Sequence, residues 1–380
     1  MSDGKARLSL TYAVQTLDGT AEMRAPYLIC KGLVEAGWDV EFVTLDASAN
    51  HSLDLLWGCV PVRKIYGSSR KVKLVKLVVD LLGKRNGNVS VTWIWDWHRF
   101  ALMASKLLFG SPYAVVMDTY TYRADPRLWV RLRDEFQYGL VLRNASVILA
   151  EVPNCFDHVV KYLKKPKVLL APPCFWHRDL REAESRWRHE QCKLEREAVI
   201  FYAGRILERK HIDDLIVAFT RLAGRFPEWK LEIRGPVISL AYYAHLQNLA
   251  QASGVGERIR FLPSLFGHDL YKRYRTSSIY ALPSEQEGFP TTILEAMYFG
   301  GAIVAGRSGY VSYQLGDGTC GLLHEPRNVD DLASALATLM SSLQIREEYM
   351  RNARQRMIEL FTWEKHFESI ERAFRSIAER

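Results

Sequence analysis

The stretch of sequence from 279 to 300 constrains the fold of this chain more than any other. Ile279–Leu282 is a short apolar run that predicts a buried strand, and Thr291–Phe299 is rich enough in apolar residues to predict a buried helix. Pro290 suits the opening of that helix and Gly300 suits its end, while the residues between the two elements are polar. A strand, a polar loop and a helix in this order are typical of an open α/β sheet, in which ligands bind beyond the carboxyl ends of the strands. The free N–H groups that open the helix would attract an anion.

Two carboxylates frame this loop. Glu287 precedes the helix, and Glu295 lies one turn inside it among apolar neighbours. Burying a carboxylate is unfavourable unless a partner binds it, and the hydroxyl groups of a sugar or ribose are such partners. A lone glutamate of this kind is more often solvated on an exposed helix face. The second acid and the adjacent Gly288 favour a ligand site instead, and the pattern therefore indicates recognition of a polyol.

The segment E-G-F-P-T-T-I-L-E, from Glu287 to Glu295, resembles the E-x7-E motif of retaining glycosyltransferases of family 4, also called glycosyltransferase group 1. This large family includes sucrose, trehalose-phosphate, lipid and lipopolysaccharide glycosyltransferases. The resemblance covers most of the chain and is strongest from about 198 to 330. It implies an α/β fold of the GT-B type, in which two Rossmann-like domains face each other across a cleft and a C-terminal helix crosses back to the first domain.

The length of 380 residues exceeds what one hydrophobic core usually organises, so two domains are expected. Two adjacent prolines at 172 and 173 begin a predicted linker. The resemblance implies that the first domain binds the acceptor and the second binds the sugar nucleotide. The expected divisions are an N-terminal domain at 1–175 with 363–380 packing back on it, a charged crossover at 176–197, and a C-terminal domain at 198–362.

The composition is that of an ordinary globular protein, with 48% apolar and 25% charged residues. No apolar run approaches about 18 residues, the length of a membrane span, and the start M-S-D-G-K-A-R lacks the apolar core of a signal peptide. The six cysteines form neither a C-x-x-C pair nor a zinc spacing, which favours reduced, structural cysteines. We therefore expect a cytoplasmic protein, either free or peripheral on the inner face of the membrane.

The net charge of +8 is concentrated in the first half of the chain. Residues 1–175 contain 23 lysines and arginines against 16 aspartates and glutamates, whereas 176–380 contain 28 against 27. This asymmetry favours an anionic partner, either phospholipid headgroups or a phosphorylated acceptor, although a surface kept soluble by lysine explains it equally well. The basic run from Lys71 to Val78 predicts either an interfacial helix on anionic lipid or a core helix with a basic edge.

The segment G-R-I-L-E-R-K, from Gly204 to Lys210, follows a predicted strand at Ala198–Tyr202 and matches the G-R-x-x-x-x-K segment of the same family. The resemblance implies that Arg205 and Lys210 bind the nucleoside diphosphate. Breaking a glycosyl phosphate bond leaves a diphosphate with additional negative charge, which fixed cations can stabilise where the sequence shows no metal site. We therefore expect no cofactor and no metal, with a nucleoside-diphosphate sugar as the donor substrate.

Further contacts to the donor are implied by the same resemblance. Glu287 would orient the hydroxyls of the donor sugar, and Glu295 would bind the ribose. Backbone N–H groups from Gly288 to Thr292 would assist at the diphosphate, and the loop after the predicted strand Ile259–Phe261 would bind the base through its backbone. The expected donor-binding residues are Gly204, Leu262, Gly288, Phe289, Pro290, Thr291, Thr292 and Glu295, and the expected catalytic residues are Arg205, Lys210, Glu287 and Asp118.

The first domain contributes three of the candidate residues. Asp118 follows a predicted strand at Tyr113–Met117, where many relatives carry a histidine that contacts the donor sugar. An aspartate there can accept a hydrogen bond from a sugar hydroxyl and stabilise positive charge at the anomeric carbon, but the capping of a turn is equally consistent. Gly19 stands where the family has a glycine-rich loop near sugar and acceptor, and His98 is either an acceptor contact or a packing residue.

The residues and the resemblance together predict a retaining, metal-independent hexosyltransferase that moves a sugar from a nucleoside-diphosphate sugar to an acceptor hydroxyl. In the mechanism we favour, the leaving phosphate deprotonates the acceptor on the same face of the sugar. The expected setting is the synthesis of cell-surface polysaccharide, lipopolysaccharide or glycolipid. The expected partners are a sugar or lipid-linked acceptor and an anionic membrane surface, and no nucleic acid is expected. Two alternatives stay open, a sugar-nucleotide epimerase of the same fold and a catalytically silent nucleotide-binding scaffold subunit.

Overall fold

The computed structural model describes residues 8–14, 24–44, 60–66, 69–82, 87–93, 98–117, 128–129, 132, 135–163, 167–189 and 195–379. The chain divides into two compact units, Met1–Cys174 with Trp363–Arg380 and Phe175–Thr362. Each unit is built on its own parallel sheet. Among the residues described, no helix combines the length and the hydrophobicity that crossing a membrane requires.

The described part of the first unit contains a seven-stranded parallel sheet in the order β3-β2-β1-β4-β5-β6-β7. The first described strand lies inside this sheet, the next two extend to one edge, and the later strands build the other side, as in a Rossmann-like domain. The strands are β1 (Ser9–Val14), β2 (Asp39–Thr44), β3 (Val62–Lys64), β4 (Asn88–Trp93), β5 (Tyr113–Met117), β6 (Val147–Ala150) and β7 (Lys167–Leu170).

Helices connect these strands and cover the sheet. The basic run predicted as either an interfacial or a core helix is one of these helices. One of its sides is buried, and a contact with lipid stays a prediction. Leu77 and Leu81 are buried on its inner side, whereas Val75 and Val79 are exposed on the other. The helices are α1 (Arg24–Glu35), α2 (Arg70–Leu82), α3 (His98–Phe109), α4 (Leu140–Asn144, after a π-helical turn at Glu135–Gly139) and α5 (Pro153–Tyr162).

The second unit repeats the same winding with a six-stranded parallel sheet in its described residues, in the order β10-β9-β8-β11-β12-β13. Its two central strands, the first and fourth of the unit, are apolar and almost fully buried, as expected for strands covered on both faces. The strands are β8 (Glu197–Ala203), β9 (Lys230–Arg234), β10 (Ile259–Leu262), β11 (Ser277–Leu282), β12 (Ala302–Gly306) and β13 (Leu322–His324). The prediction of two Rossmann-like α/β domains is confirmed.

Eight α-helices lie in the described part of the second unit, together with short 3₁₀ turns. They are α6 (His177–His189), α7 (Ile212–Leu222), α8 (Leu240–Ala252), α9 (Gly267–Thr276), α10 (Thr291–Phe299), α11 (Val311–Gln314), α12 (Val329–Ser341) and α13 (Leu343–Leu360), with 3₁₀ turns at Glu208–Lys210, Gly256–Arg258 and Gly316–Gly318. The helix that matters most for the site is α10, because it begins directly after the loop that follows β11.

The charged segment at 176–197, predicted as a crossover, makes specific contacts in the second unit. It contains α6, which contacts α10 and α13 through one polar cluster. Both carboxylate oxygens of Glu184 accept hydrogen bonds from Arg354, at 2.7 and 2.8 Å. The guanidinium of Arg354 also lies 4.2 Å from the centre of the Tyr298 ring. The partners of Glu184 lie far away in sequence, so the charge pattern of the segment alone did not indicate this packing.

The last helix, α14 (Trp363–Ala378), belongs to the first unit. It contacts β4, β7 and α1, and the indole N–H of Trp38 donates to Glu371 at 3.1 Å. Its inner side is apolar, with Ile370 and Phe374 fully buried. The C-terminal helix therefore packs on the first unit, as the resemblance implied.

Candidate functional site

Two loops of the second unit leave the carboxyl ends of adjacent strands. β8 and β11 are parallel neighbours in the middle of the sheet, so the residues that follow them emerge at the same edge. We call these residues the 204–211 loop, after β8, and the 283–290 loop, after β11. The backbone N–H of Glu285 donates to the carbonyl oxygen of Arg209 at 3.3 Å, which links the two loops directly.

Lys210 and Glu287 form a buried ion pair between these loops. The Nζ atom of Lys210 lies 2.5 Å from Oε1 of Glu287, and the side chains are only 10% and 9% exposed. Burial lowers the pKa of the Lys210 amino group, and the carboxylate of Glu287 opposes that shift by stabilising the ammonium. The sequence predicted both residues for the site but not a bond between them. The structure therefore joins the residue predicted to bind phosphate with the residue predicted to bind sugar.

Arg205 is exposed in the same loop as Lys210. Its carbonyl oxygen accepts a hydrogen bond from the buried phenol of Tyr202 at 2.9 Å, which fixes the loop where it leaves β8. The positive charge of Arg205 is near enough to add to the lowering of the Lys210 pKa that burial begins. Two cations within electrostatic range of each other create a positive potential that suits a polyanion. No group of three or more His, Cys, Asp or Glu residues in the described ranges is placed to hold a metal ion, and metal independence stays a prediction.

Gly204 lies in close backbone contact with the end of β9. Its N–H donates to the carbonyl oxygen of Arg234 at 3.0 Å. A Cβ atom on Gly235 would lie 1.7 Å from the carbonyl oxygen of Gly204, a distance that no side chain allows. Glycine at 235 is therefore required for the 204–211 loop to begin where it does.

The 283–290 loop rests on the backbone that follows β12. The N–H of Tyr310 donates to the carbonyl oxygen of Gly288 at 3.0 Å. Gly309 has a left-handed φ of +52°, and a Cβ atom there would lie 1.9 Å from the carbonyl oxygen of Glu287. Gln314 adds a hydrogen bond from its side-chain amide to the carbonyl oxygen of Pro290, at 3.1 Å. The position of Glu287 thus depends on a close approach of two backbone segments.

The N-terminus of α10 follows this loop directly. Pro290 occupies the N-cap position, and the helix begins at Thr291, as predicted. Proline has no side-chain acceptor, so the first N–H groups of α10 lack a side-chain cap within the described part of the chain. Gly288, Phe289, Thr291 and Thr292 are half-buried around this point. Such a helix start can bind an anion.

Glu295 lies inside α10 and is only 2% exposed. Its neighbours are two buried tyrosines, Tyr274 and Tyr280. Burial raises the pKa of both phenols, and the negative charge of Glu295 adds to that shift. A hydrogen bond with Thr292 acts in the opposite direction on Tyr280. The predicted contact of Glu295 with a ribose stays a prediction.

Leu262 is the last residue of β10 and is half-buried. The loop after it is fixed by Arg234, whose guanidinium donates to the carbonyl oxygen of Pro263 at 3.1 Å. Arg234 also pairs with Glu232 at 2.6 Å. The ends of β9 and β10 are therefore tied together at the edge of the sheet that carries the 204–211 loop. The contact with a base predicted at Leu262 stays a prediction.

Of the candidate residues in the first unit, the structure describes only His98. It begins α3 and is fully buried, and within the described ranges neither ring nitrogen has a hydrogen-bond partner. Burial lowers its pKa to about 4. A position of this kind is typical of a packing residue, and the contact with an acceptor stays a prediction. Gly19 and Asp118 lie outside the described residues.

Sequence reasoning missed four residues that shape these loops. Gly235 and Gly309 permit close backbone contacts, Tyr202 fixes the start of the 204–211 loop, and His211 contacts Glu285 at 2.8 Å. A glycine directly after a strand is a usable signal for Gly235, which follows the end of β9. The other three have no such local signal, because their roles depend on residues that are distant in sequence or on backbone oxygens.

The sequence comparisons match part of this chain to a family model and to known proteins. Residues 184–356 match the family model described as glycosyl transferases group 1. The D-inositol 3-phosphate glycosyltransferase from Saccharomonospora viridis is 34% identical over 173 residues, which cover 44% of this chain and 40% of that protein. The match spans about two fifths of the length of the curated relatives.

The structural comparisons extend over both units. HepE from Anabaena in complex with UDP has a TM-score of 0.76 at 18% identity, covering 97% of this chain and 100% of that chain. Sucrose-phosphate synthase from Thermosynechococcus elongatus has a TM-score of 0.74 at 19% identity, covering 98% and 99%. At such low identity the likeness shows the fold alone, and the predicted GT-B class is confirmed.

Proposed function

We propose that this chain is a glycosyltransferase that moves a sugar from a nucleoside-diphosphate sugar to an acceptor hydroxyl. The observation that carries the proposal is the buried Lys210–Glu287 pair, which lies at the carboxyl edge of a sheet inside the segment matched by glycosyl transferases group 1. The names of the similar proteins support the same chemistry, since one is a glycosyltransferase and another was solved with UDP. In this proposal the second unit binds the donor and the first binds the acceptor.

The diphosphate would bind at the start of α10, beside Arg205 and Lys210. During transfer, the bond between the anomeric carbon and the phosphate oxygen breaks, and both electrons pass to the phosphate. The acceptor oxygen bonds to the anomeric carbon from the same face, and its proton passes to the departing phosphate oxygen. The configuration is therefore retained. Two fixed cations and the helix N-terminus stabilise the leaving charge, which is the role a metal plays in other enzymes.

The ion pair supports two roles for Glu287. Its carboxylate stabilises the ammonium of Lys210 against the effect of burial. When a diphosphate approaches Lys210, the carboxylate can accept hydrogen bonds from the hydroxyls of the donor sugar next to that phosphate. Glu295 would bind the ribose from inside α10. The proposal keeps Asp118 at the anomeric carbon, and Gly19 and His98 on the acceptor side.

A direct assay separates this proposal from its alternatives. Thermal-shift screening of UDP, GDP and ADP with their sugar conjugates should reveal one nucleotide, since a ligand at a hundred times its Kd stabilises the fold by about 2.7 kcal/mol. A transferase releases nucleoside diphosphate only when an acceptor is present. An epimerase converts the donor without an acceptor, and a scaffold subunit binds the nucleotide without turnover. Product NMR at the anomeric carbon tests retention, and activity in EDTA tests metal independence.

We also propose that the protein works at an anionic membrane surface, in the synthesis of cell-surface polysaccharide, lipopolysaccharide or glycolipid. The exposed face of α2 supports this part. Val75 and Val79 are 62% and 60% exposed at helical spacing, and lysines flank them. The residues of this face are Lys71, Val72, Val75, Lys76 and Val79. A face of apolar side chains and lysines suits the interface of an anionic bilayer.

Sedimentation with vesicles tests the membrane part on its own. The wild type should sediment with vesicles that contain phosphatidylglycerol at low salt and not with pure phosphatidylcholine. Lys71→Glu with Lys76→Glu should weaken this binding by at least about tenfold, because each lysine near the surface contributes about 1 kcal/mol. Lys230→Glu, an exposed lysine of the second unit, is the matched control. Wild-type protein that stays in the supernatant under both conditions would exclude membrane binding and leave the transferase proposal intact.

A further inference from the structure

His211, the residue after Lys210, has a left-handed backbone with φ +47°. It ends the 3₁₀ turn Glu208–Lys210 and stands at the N-cap of α7, so the chain changes direction at this residue. The left-handed region favours glycine, and another residue persists there only where its surroundings determine it. The surroundings of His211 should therefore show what maintains this conformation.

The ring of His211 bonds on both sides. Nε2 lies 2.8 Å from Oε2 of Glu285 in the 283–290 loop, and Nδ1 lies 2.6 Å from Nη1 of Arg327. A guanidinium can only donate, so Nδ1 accepts and the ring proton is on Nε2, which donates to Glu285. The ring is 14% exposed, so water competes only in part for these bonds.

Arg327 is itself left-handed, with φ +64°, and lies between β13 and α12. The same Nη1 donates to both oxygens of Asp214, at 3.3 and 3.2 Å. Asp213 also faces the ring, with Oδ1 3.9 Å from Nδ1. His211 and Arg327, both left-handed, thus bond to each other. Through Glu285, their side chains connect three segments, which follow β8, β11 and β13.

We infer that His211 is a positioning residue, whose ring joins the 204–211 loop to the 283–290 loop and sets Lys210 against Glu287. The bond from His211 to Glu285 lies one residue from Lys210 and two from Glu287, so it runs beside the ion pair. Arg327 restrains the ring from the opposite side. The consequence for donor binding rests on the proposed function, whereas the link between the loops does not.

His211→Gly isolates the ring from the backbone. Glycine adopts a φ of +47° without strain, so the variant removes the two side-chain bonds and keeps the turn. Asp317→Gly is the matched control, because Asp317 is also left-handed, with φ +52°, in the 3₁₀ turn Gly316–Gly318. Arg327→Gly removes the other side of the contact at a third left-handed position and should act like His211→Gly.

Amide hydrogen exchange measures the link without any ligand. In His211→Gly the amide of Glu285, which bonds to the carbonyl oxygen of Arg209, should exchange faster, while Ile200 in β8 keeps its wild-type rate. Asp317→Gly should match the wild type at both amides. Equal exchange at Glu285 in wild type and His211→Gly would overturn the inference.

Calorimetry with UDP, GDP and ADP measures the consequence for the nucleotide that the wild type binds. His211→Gly should bind it about two- to tenfold more weakly, and Asp317→Gly should bind it like the wild type. Weaker binding with unchanged exchange would mean that His211 contacts the nucleotide directly, which also overturns the positioning role. Faster exchange with unchanged affinity would show that His211 links the two loops without affecting nucleotide binding. That result would overturn the part of the inference that concerns the donor. If the wild type binds none of the three nucleotides, the proposed function fails and the exchange result still decides the link.

Discussion

The ammonium of Lys210 lies 2.5 Å from a carboxylate oxygen of Glu287, and the two residues are 77 positions apart in the sequence. The pairing of β8 with β11 brings them together. A buried ion pair adds little net stability, because desolvation offsets the attraction, but removing one partner leaves an unpaired charge and costs about 3–5 kcal/mol. The contact is therefore better explained by what the two charges do for a ligand than by what they do for the fold.

Lys210→Met should abolish most of the activity. The variant keeps the aliphatic stem but loses the charge that would stabilise the leaving diphosphate, so kcat should fall by about 10²–10³-fold. Lys230→Met, the same substitution at an exposed lysine of the second unit, is the control and should stay near wild type. Steady-state release of nucleoside diphosphate measures both.

A double variant separates catalysis from folding at this pair. Lys210→Met alone leaves the Glu287 carboxylate buried without its partner and should lower the free energy of unfolding. Lys210→Met with Glu287→Gln removes both charges and should recover stability without recovering activity. Activity within threefold of wild type in either variant would contradict the role of Lys210.

Glu287→Gln should change how stability depends on pH. Burial holds the pKa of Lys210 below its ordinary value and Glu287 opposes that shift, so the variant should lower the pKa further. A lysine with a lower pKa in the folded state binds fewer protons there than in the unfolded state. Its burial therefore reduces the free energy of unfolding at low pH, and this reduction disappears as the pH rises from the folded pKa to the unfolded pKa. The variant should be most destabilised near neutral pH and approach wild type toward about pH 10. Urea unfolding of both proteins across this range measures the difference, and a difference that does not vary with pH would contradict the coupling.

Gly309→Ala should displace the 283–290 loop. Its Cβ would lie 1.9 Å from the carbonyl oxygen of Glu287 on a left-handed backbone, so we expect a loss of at least about 2 kcal/mol in the free energy of unfolding and weaker binding of the donor. Gly318 also has a left-handed φ, but a Cβ atom there would meet no other atom, so Gly318→Ala controls for backbone strain alone. Gly224→Ala has open space and no left-handed φ, and it should change stability by less than about 1 kcal/mol. If Gly309→Ala behaves like Gly318→Ala in both urea unfolding and donor binding, the close approach does not position Glu287.

The sequence predicted those elements whose signals are local. The helix Thr291–Phe299 has the predicted bounds, and the strand before it begins two residues earlier than its apolar core at Ile279. The bond between Lys210 and Glu287 could not be predicted from either segment, because it depends on which strands are neighbours. The packing of Glu184 against Arg354 spans 170 positions for the same reason.

The glycines of the site show a second limit of the sequence. Gly235 and Gly309 are necessary because backbone oxygens of Gly204 and Glu287 approach them. A backbone approach of this kind leaves no residue pattern on the opposing segment. The resemblance to a family predicted the site residues, but the contacts that position them depend on how distant backbone segments approach each other.

The stability of the first unit should fall in mild acid because of His98. Burial lowers the pKa of its ring to about 4, against about 6.5 in an unfolded chain. The folded state therefore binds fewer protons than the unfolded state between these values, so stability is lost as pH falls from about 6.5 toward 4, by about 2 kcal/mol at pH 5. His98→Leu removes the titrating ring. Between pH 7 and pH 5 the free energy of unfolding of this variant should fall by about 2 kcal/mol less than that of the wild type, as measured by urea unfolding. His245→Leu, at an exposed histidine on α8 in the other unit, should keep the wild-type dependence. An equal loss in wild type and His98→Leu would show that the buried ring is not the acid-sensitive group.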